Sequence, residues 1–158
     1  MQCSALFVKN TSHDKVVHVI SQENNMSYEE LSATMEDMLH EGKGILAADE
    51  SNGTIGKRFA SIKTENTEEN RRDYRLLLAT TPKLEEYING VILFEETFYQ
   101  KDEHGTPIAE LFAKKGIIPG IKVDKGLVKL PGTEDEQVTQ GLDGLTERLL
   151  EFKKLGAR

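Results

Sequence analysis

Three short apolar runs, Gly44–Ala48, Val91–Phe94 and Ile117–Val123, are each followed by segments of helical periodicity. That alternation leaves few folds open. Strands joined through helices form right-handed crossovers and a parallel sheet. Val91–Phe94 is continuously apolar, as expected of a strand covered on both faces, and it comes just after Asn89 and Gly90. In the third run, Ile121 and Val123 alternate with Lys122 and Asp124, which places the two charged side chains on one face. Pro119 and Gly120 fit a regular ladder poorly and predict a bulge or irregular start. A three-stranded parallel sheet leaves both edges unpaired, a state that natural proteins avoid. A complete (β/α)8 barrel takes about 250 residues, and this sequence has 158. The pattern therefore reads as an α/β protein of the (β/α)8 TIM barrel type, with the first three or so βα units present.

The helices are marked by spacing and caps. Ile55, Phe59 and Ile62 give one apolar face, beginning near Thr54. Asn66 and Glu69 have N-cap and N3 spacing for a second helix, with Tyr74, Leu77 and Leu78 inward and Pro82 at its end. Thr106 reads as a cap, with Pro107 at the first helical position, Ile108, Leu111 and Phe112 inward, and Gly116 as the stop. A polar loop from Pro131 to Gln140 leads to Asp143, Gly144 and a last helix built on Leu145, Leu149, Phe152 and Leu155. Before the first strand, Ser27 to Glu30 is a capping box. Leu31, Met35, Met38 and Leu39 follow at helical spacing, with Gly42 as the stop. Residues 1–25 read as a loosely ordered extension and 26–158 as the barrel portion, with Met26 a candidate start. The extension lacks the basic and apolar regions of a secretory signal.

Composition excludes several functions. No window approaches the ~18 consecutive apolar residues of a membrane span. A net charge of −7 argues against general nucleic-acid binding, which needs a basic patch. It leaves room for a small phosphorylated substrate held by a few local cations, since exposed charges are screened beyond roughly 8–10 Å. Cys3, the single cysteine, cannot form an internal disulfide and fits a reducing, cytoplasmic setting. His13, His18, His40 and His104 show no metal-ligand spacing with the acids, so no metal site is expected.

The densest chemistry runs from Gly42 to Ala60. Asp49 follows five small or apolar residues, where a partly desolvated carboxylate beside an ammonium could relay protons; it could equally cap the next helix. Adjacent strand residues face opposite ways, which separates Glu50 from Asp49 and disfavours a paired-carboxylate mechanism. Ser51 and Thr54 flank Asn52 and Gly53; hydroxyls and free amides there suit a phosphate or simple capping. Lys57 and Arg58 lie one turn into the helix, either as a solvated pair or as anion ligands. Lys122 shares its face with Asp124, and an uncompensated ammonium would be costly inside a barrel. A buried Lys–Asp pair and a ligand-binding lysine are both open readings. The segment G-T-I-G-K-R is not a nucleotide P-loop, since its glycines are too close and no Ser or Thr follows the lysine.

The motifs G-K-G-I-L-A-A-D-E-S, K-R-F-A-S-I, E-N-T-E-E-N-R-R, G-V-I-L-F-E-E-T, G-I-I-P-G-I-K-V-D-K-G and Q-G-L-D-G-L, in this order, closely resemble class I fructose-bisphosphate aldolase. The resemblance runs from Gly42 to Arg158 and covers the N-terminal part of that enzyme. It implies a metal-free, cofactor-free lyase of glycolysis that cleaves fructose 1,6-bisphosphate through a lysine Schiff base, with a homo-oligomer when full length. It implies that Asp49 works beside the catalytic lysines, that Ser51, Thr54, Lys57 and Arg58 bind substrate, and that Lys122 holds a substrate phosphate with Asp124 in support. No lysine here matches the Schiff-base position. Two readings follow: an aldolase fragment or truncated product that is inactive alone, or a non-catalytic half-barrel binding sugar phosphates or a partner chain.

Overall fold

The computed structural model describes residues 28–39 and 42–158. The proposed extension, Met26, Ser27 of the expected capping box, and His13, His18 and His40 lie outside the described residues. The chain divides into two compact units, Met1–Met35 and Glu36–Arg158. Of the first, residues 28–35 are described; they lie in helix α1 (Tyr28–Met38). Leu31, Met35 and Leu39 are exposed.

The second unit is built on a parallel sheet of β1 (Gly44–Ala48), β2 (Ile88–Leu93) and β3 (Ile118–Ile121), ordered β1-β2-β3. Between β1 and β2 come α2 (Asn52–Ser61) and α3 (Glu68–Thr80). Between β2 and β3 come the short α4 (Glu95–Tyr99) and α5 (Ile108–Lys114). After β3, a two-stranded antiparallel hairpin, β4 (Leu127–Lys129) and β5 (Gln137–Thr139), precedes α6 (Leu145–Lys154). Val91, Leu93, Ile108, Phe112, Ile117 and Phe152 form the centre of the core. Among the described residues, no helix is long and apolar enough to cross a membrane.

The alternation of strands and helices holds, and several details are corrected. β1 has the expected bounds but only Ala48 is buried, because β1 is an edge strand. α2 starts at Asn52 and buries Ile55 and Phe59, while Ile62 is exposed. The cap of α3 is Thr67, whose hydroxyl accepts from the Asn70 amide at 3.1 Å; Asn66 instead donates to the Asn52 carbonyl at 2.9 Å. The buried residues of α3 are Arg75 and Ala79, and Leu77 is exposed. Pro107 is itself the N-cap of α5, and the Thr106 backbone instead closes a turn with Asp102. In α6 only Phe152 is buried, with Leu149 and Leu155 exposed.

The strand expected over Ile117–Val123 is shorter, Ile118–Ile121, and it pairs with β2 without a register shift, so Pro119 and Gly120 make no bulge. A residue's N–H and C=O point to the same side of a strand. The Pro119 carbonyl accepts the Arg158 amide at 2.9 Å on the side away from β2, so the proline nitrogen also faces away and costs the ladder nothing. The register shift lies instead in β1, between Gly44 and Ile45.

Candidate active site

Register brings the site residues to one level. Ala48 pairs with Leu93, and Leu93 with Ile121; the Lys122 amide then donates to the Leu93 carbonyl at 3.0 Å. Asp49 and Lys122 therefore leave the sheet at one level, at the carboxyl ends of the two strands that flank β2. The Lys122 ammonium lies 2.5 Å from an Asp124 carboxyl oxygen and 3.6 Å from one of Asp49, and all three side chains are half-buried. The Asp124 hydrogen bond, aided by the charges of Asp124 and Asp49, raises the Lys122 pKa against the effect of desolvation. Lys122 in turn holds the Asp124 carboxyl below its usual range, and the Gly126 amide, donating at 3.0 Å, adds to that effect.

Asp49 is not a helix cap, since α2 is capped at Ser51. Ser51 makes no side-chain cap bond; its hydroxyl instead meets that of Thr54 at 3.2 Å. Its carbonyl accepts the Ile55 amide at 2.9 Å, which opens the first turn of α2. The amides of that first turn have no partners within the helix. Lys57 is exposed and makes no ion pair among the described residues.

Just past the end of β1, Glu50 turns the other way, toward α2 and α3. It takes Arg75 of α3 at 2.5 Å on one carboxyl oxygen and Arg58 of α2 on the other, while Arg75 also donates to the Glu50 carbonyl at 3.0 Å. Burial pushes the Glu50 carboxyl up, but the Arg75 hydrogen bond and the charges of Arg75 and Arg58 outweigh it, and the net direction is down. The structure thus brings Asp49, Lys122 and Asp124 together and pairs Ser51 with Thr54. Arg58 is tied to the scaffold carboxylate Glu50.

Sequence reasoning passed over Arg75, Lys125 and Arg148. Glu95 pairs with Lys125 and lies 3.7 Å from Arg148. A signal for Arg75 was present: Arg71, Tyr74, Arg75 and Leu78 share one helical stripe, and two arginines on an inward stripe call for acidic partners. Glu96 supplies one, at 2.6 Å from Arg71.

Comparison with known proteins bears on what this arrangement does. The family model described as "Glycolytic: Fructose-bisphosphate aldolase class-I" matches residues 30–158. A Xylella fastidiosa protein named "Probable fructose-bisphosphate aldolase class 1" is 59% identical over 133 residues, covering 84% of this chain and 40% of the relative. A Plasmodium berghei protein named "Fructose-bisphosphate aldolase 2" is 59% identical over 130 residues, covering 82% of this chain and 35% of the relative. A solved structure of fructose-bisphosphate aldolase from Plasmodium falciparum, in complex with TRAP and a small-molecule inhibitor, superposes with a TM-score of 0.79 at 58% identity. That match covers 82% of this chain and 38% of the solved one. The chain spans about 40% of the length of the first of these relatives.

Proposed function

The chain belongs to the class-I fructose-bisphosphate aldolase family, and on that premise we propose that it is the N-terminal portion of a (β/α)8 barrel enzyme cleaving fructose 1,6-bisphosphate reversibly to dihydroxyacetone phosphate and glyceraldehyde 3-phosphate. Neighbours in the sheet follow chain order, as in a barrel, with no strand-order reversal of the doubly wound kind. The observation that carries the reading is the Asp49–Lys122–Asp124 cluster at the carboxyl ends of parallel strands, the face on which barrel enzymes build their sites.

In the family's reaction a lysine amine condenses with the substrate ketone, releasing water and leaving an iminium that draws in the electrons of the breaking C–C bond. Residues 1–158 hold no counterpart of that lysine, so this chain supplies the surroundings of the reacting centre. Asp49 works beside the catalytic lysines. Lys122 holds a substrate phosphate, with Asp124 fixing the ammonium's position. Ser51, Thr54, Lys57 and Arg58 bind the phosphate-bearing end of the substrate. Lys57 is exposed and ready for that role; Arg58 has to divide its guanidinium between Glu50 and the ligand. A homo-oligomeric assembly and a cytoplasmic setting belong to the same proposal.

The test joins this chain at Arg158 to the remainder of the Plasmodium falciparum relative. The chimera is expected to cleave fructose 1,6-bisphosphate and to lose that activity with Asp49→Ala. A folded Asp49→Ala chimera with undiminished kcat/KM would overturn the assignment.

A further inference from the structure

Val123 stands between the two members of the Lys122–Asp124 pair, and its carbonyl is not left to the solvent. Arg148 of α6 donates from Nη1 to the Val123 carbonyl at 3.2 Å and to the Gly141 carbonyl at 3.4 Å. Those two carbonyls lie at the opposite ends of the hairpin excursion. The hairpin's base is further closed by the Lys125 amide on the Gln140 carbonyl and the Gln140 amide on the Gly126 carbonyl, both at 2.9 Å. Glu95 of α4 receives Lys125 and, at 3.7 Å, the other arm of Arg148, so one carboxylate holds both sides of the junction.

Gly141 shows how tightly this junction is drawn. Its φ is +126°, and a Cβ added there would fall 2.7 Å from the Val123 oxygen, 3.1 Å from the Asp124 Cα and 3.2 Å from the Lys125 nitrogen. All three contacts are backbone, so none could yield by turning a side chain. The peptide plane between Val123 and Asp124 is gripped from two sides, and that plane sets the direction in which the Asp124 carboxylate leaves the backbone.

We infer that Arg148, with Glu95 and Gly141, is a positioning clasp that aims Asp124 at Lys122. The clasp deepens the proposed function, in that its bearing on substrate rests on the phosphate role of Lys122; its geometry does not. Arg148 touches neither Lys122 nor Asp124 through their side chains and acts through the backbone between them. A planar guanidinium suits the task because it can hold two carbonyls and a carboxylate at fixed angles.

The experiment follows the Asp124 carboxyl through a pH titration by carbon-detected NMR on the full chain. Asp124 faces Lys122 and the Gly126 amide, with Asp49 across Lys122; Lys125, Glu95 and Arg148 are the charged groups at the hairpin base. Arg148→Lys keeps the charge and loses the fork. Its Asp124 midpoint is expected to rise toward that of an ordinary aspartate, while amide shifts in β1 and β2 stay in place. Gly141→Ala, which displaces the Val123 carbonyl without touching any charge, is expected to do the same. An unchanged midpoint in either folded variant overturns the clasp. So does loss of the sheet's amide signals in both, which would make the contacts a requirement of the fold alone. A parallel titration of the wild-type chain with inorganic phosphate addresses the other reading. Absence of binding there removes the phosphate role of Lys122 and leaves the clasp standing.

Discussion

Two arginines share the carboxylate of Glu50, and their environments predict very different costs of removal. Arg75 is 4% exposed and Glu50's side chain 7%, whereas Arg58 is 59% exposed. Arg75 binds the carboxylate and the backbone carbonyl of Glu50, and its guanidinium lies 5.2 Å from the centre of the Tyr74 ring. Arg75→Met leaves the acid buried without its main partner, a change that costs about 3–5 kcal/mol. At roughly 2–4 °C per kcal/mol for a chain of this size, Tm should fall by about 6–20 °C. Arg58→Met removes a solvent-screened contact and should cost less than about 1 kcal/mol. The double variant Glu50→Leu with Arg75→Met should recover part of the loss, since no charge then stays buried unpaired. Urea unfolding followed by circular dichroism measures all three. Because the folded-state pKa of Glu50 is lowered, the pair's stabilisation is complete above the unfolded carboxylate pKa and disappears as pH falls through the folded one. The difference between wild type and Arg75→Met should therefore shrink on acidification. If Arg75→Met costs no more than Arg58→Met, burial is not what sets the strength of this pair.

Incubating this chain alone with fructose 1,6-bisphosphate and borohydride should trap no stoichiometric lysine adduct; a specific adduct abolished by replacing one lysine would refute the assignment. In the completed chimera, Lys122→Ala should reduce kcat/KM for fructose 1,6-bisphosphate by the worth of a charged hydrogen bond, roughly 1.5–3 kcal/mol. The loss should be smaller for fructose 1-phosphate, which lacks the second phosphate, and equal losses would make Lys122 structural. Tyr99 donates to Glu151 at 2.6 Å, and that bond, with some desolvation, pushes its pKa up to about 12. Any stabilisation from it is present below the unfolded tyrosine pKa and is lost as pH rises toward the folded one. Ultraviolet titration should show one late-ionising tyrosine that returns to the ordinary range in Glu151→Gln, and no change in that variant would discount the bond.

The trio of Asp49, Lys122 and Asp124 was legible because each follows an apolar run, and the parallel strands of one sheet end at one level. Their mutual distances were not, since they depend on register. The exposure of β1 was hidden because apolar composition does not tell an edge strand from a central one. The hairpin gave no signal, as its six strand residues are all exposed and need no apolar alternation. Thr67 outcompeted Asn66 as the cap of α3 because Asn66 is drawn across to the first turn of α2. Arg148 is the clearest omission: its partners are carbonyls, and any residue type can supply a carbonyl.

Asp49 and Glu50 are consecutive acids that serve opposite sides of one wall. From Ile45 to Ala48, β1 pairs with Gly90 to Leu93 in unbroken step. Which acid meets Lys122 and which meets Arg75 is thus a matter of counting, odd or even, from Ile45. A single residue inserted or deleted within that stretch would trade their places. The shorter aspartate would then be offered to a guanidinium set for glutamate, and the glutamate would be pressed into the space beside Lys122. Length changes of one residue in β1 are therefore expected to damage the scaffold and the site together, while a change of two restores the parity. The irregularity between Gly44 and Ile45 falls just before the count begins, at a point where it alters neither address.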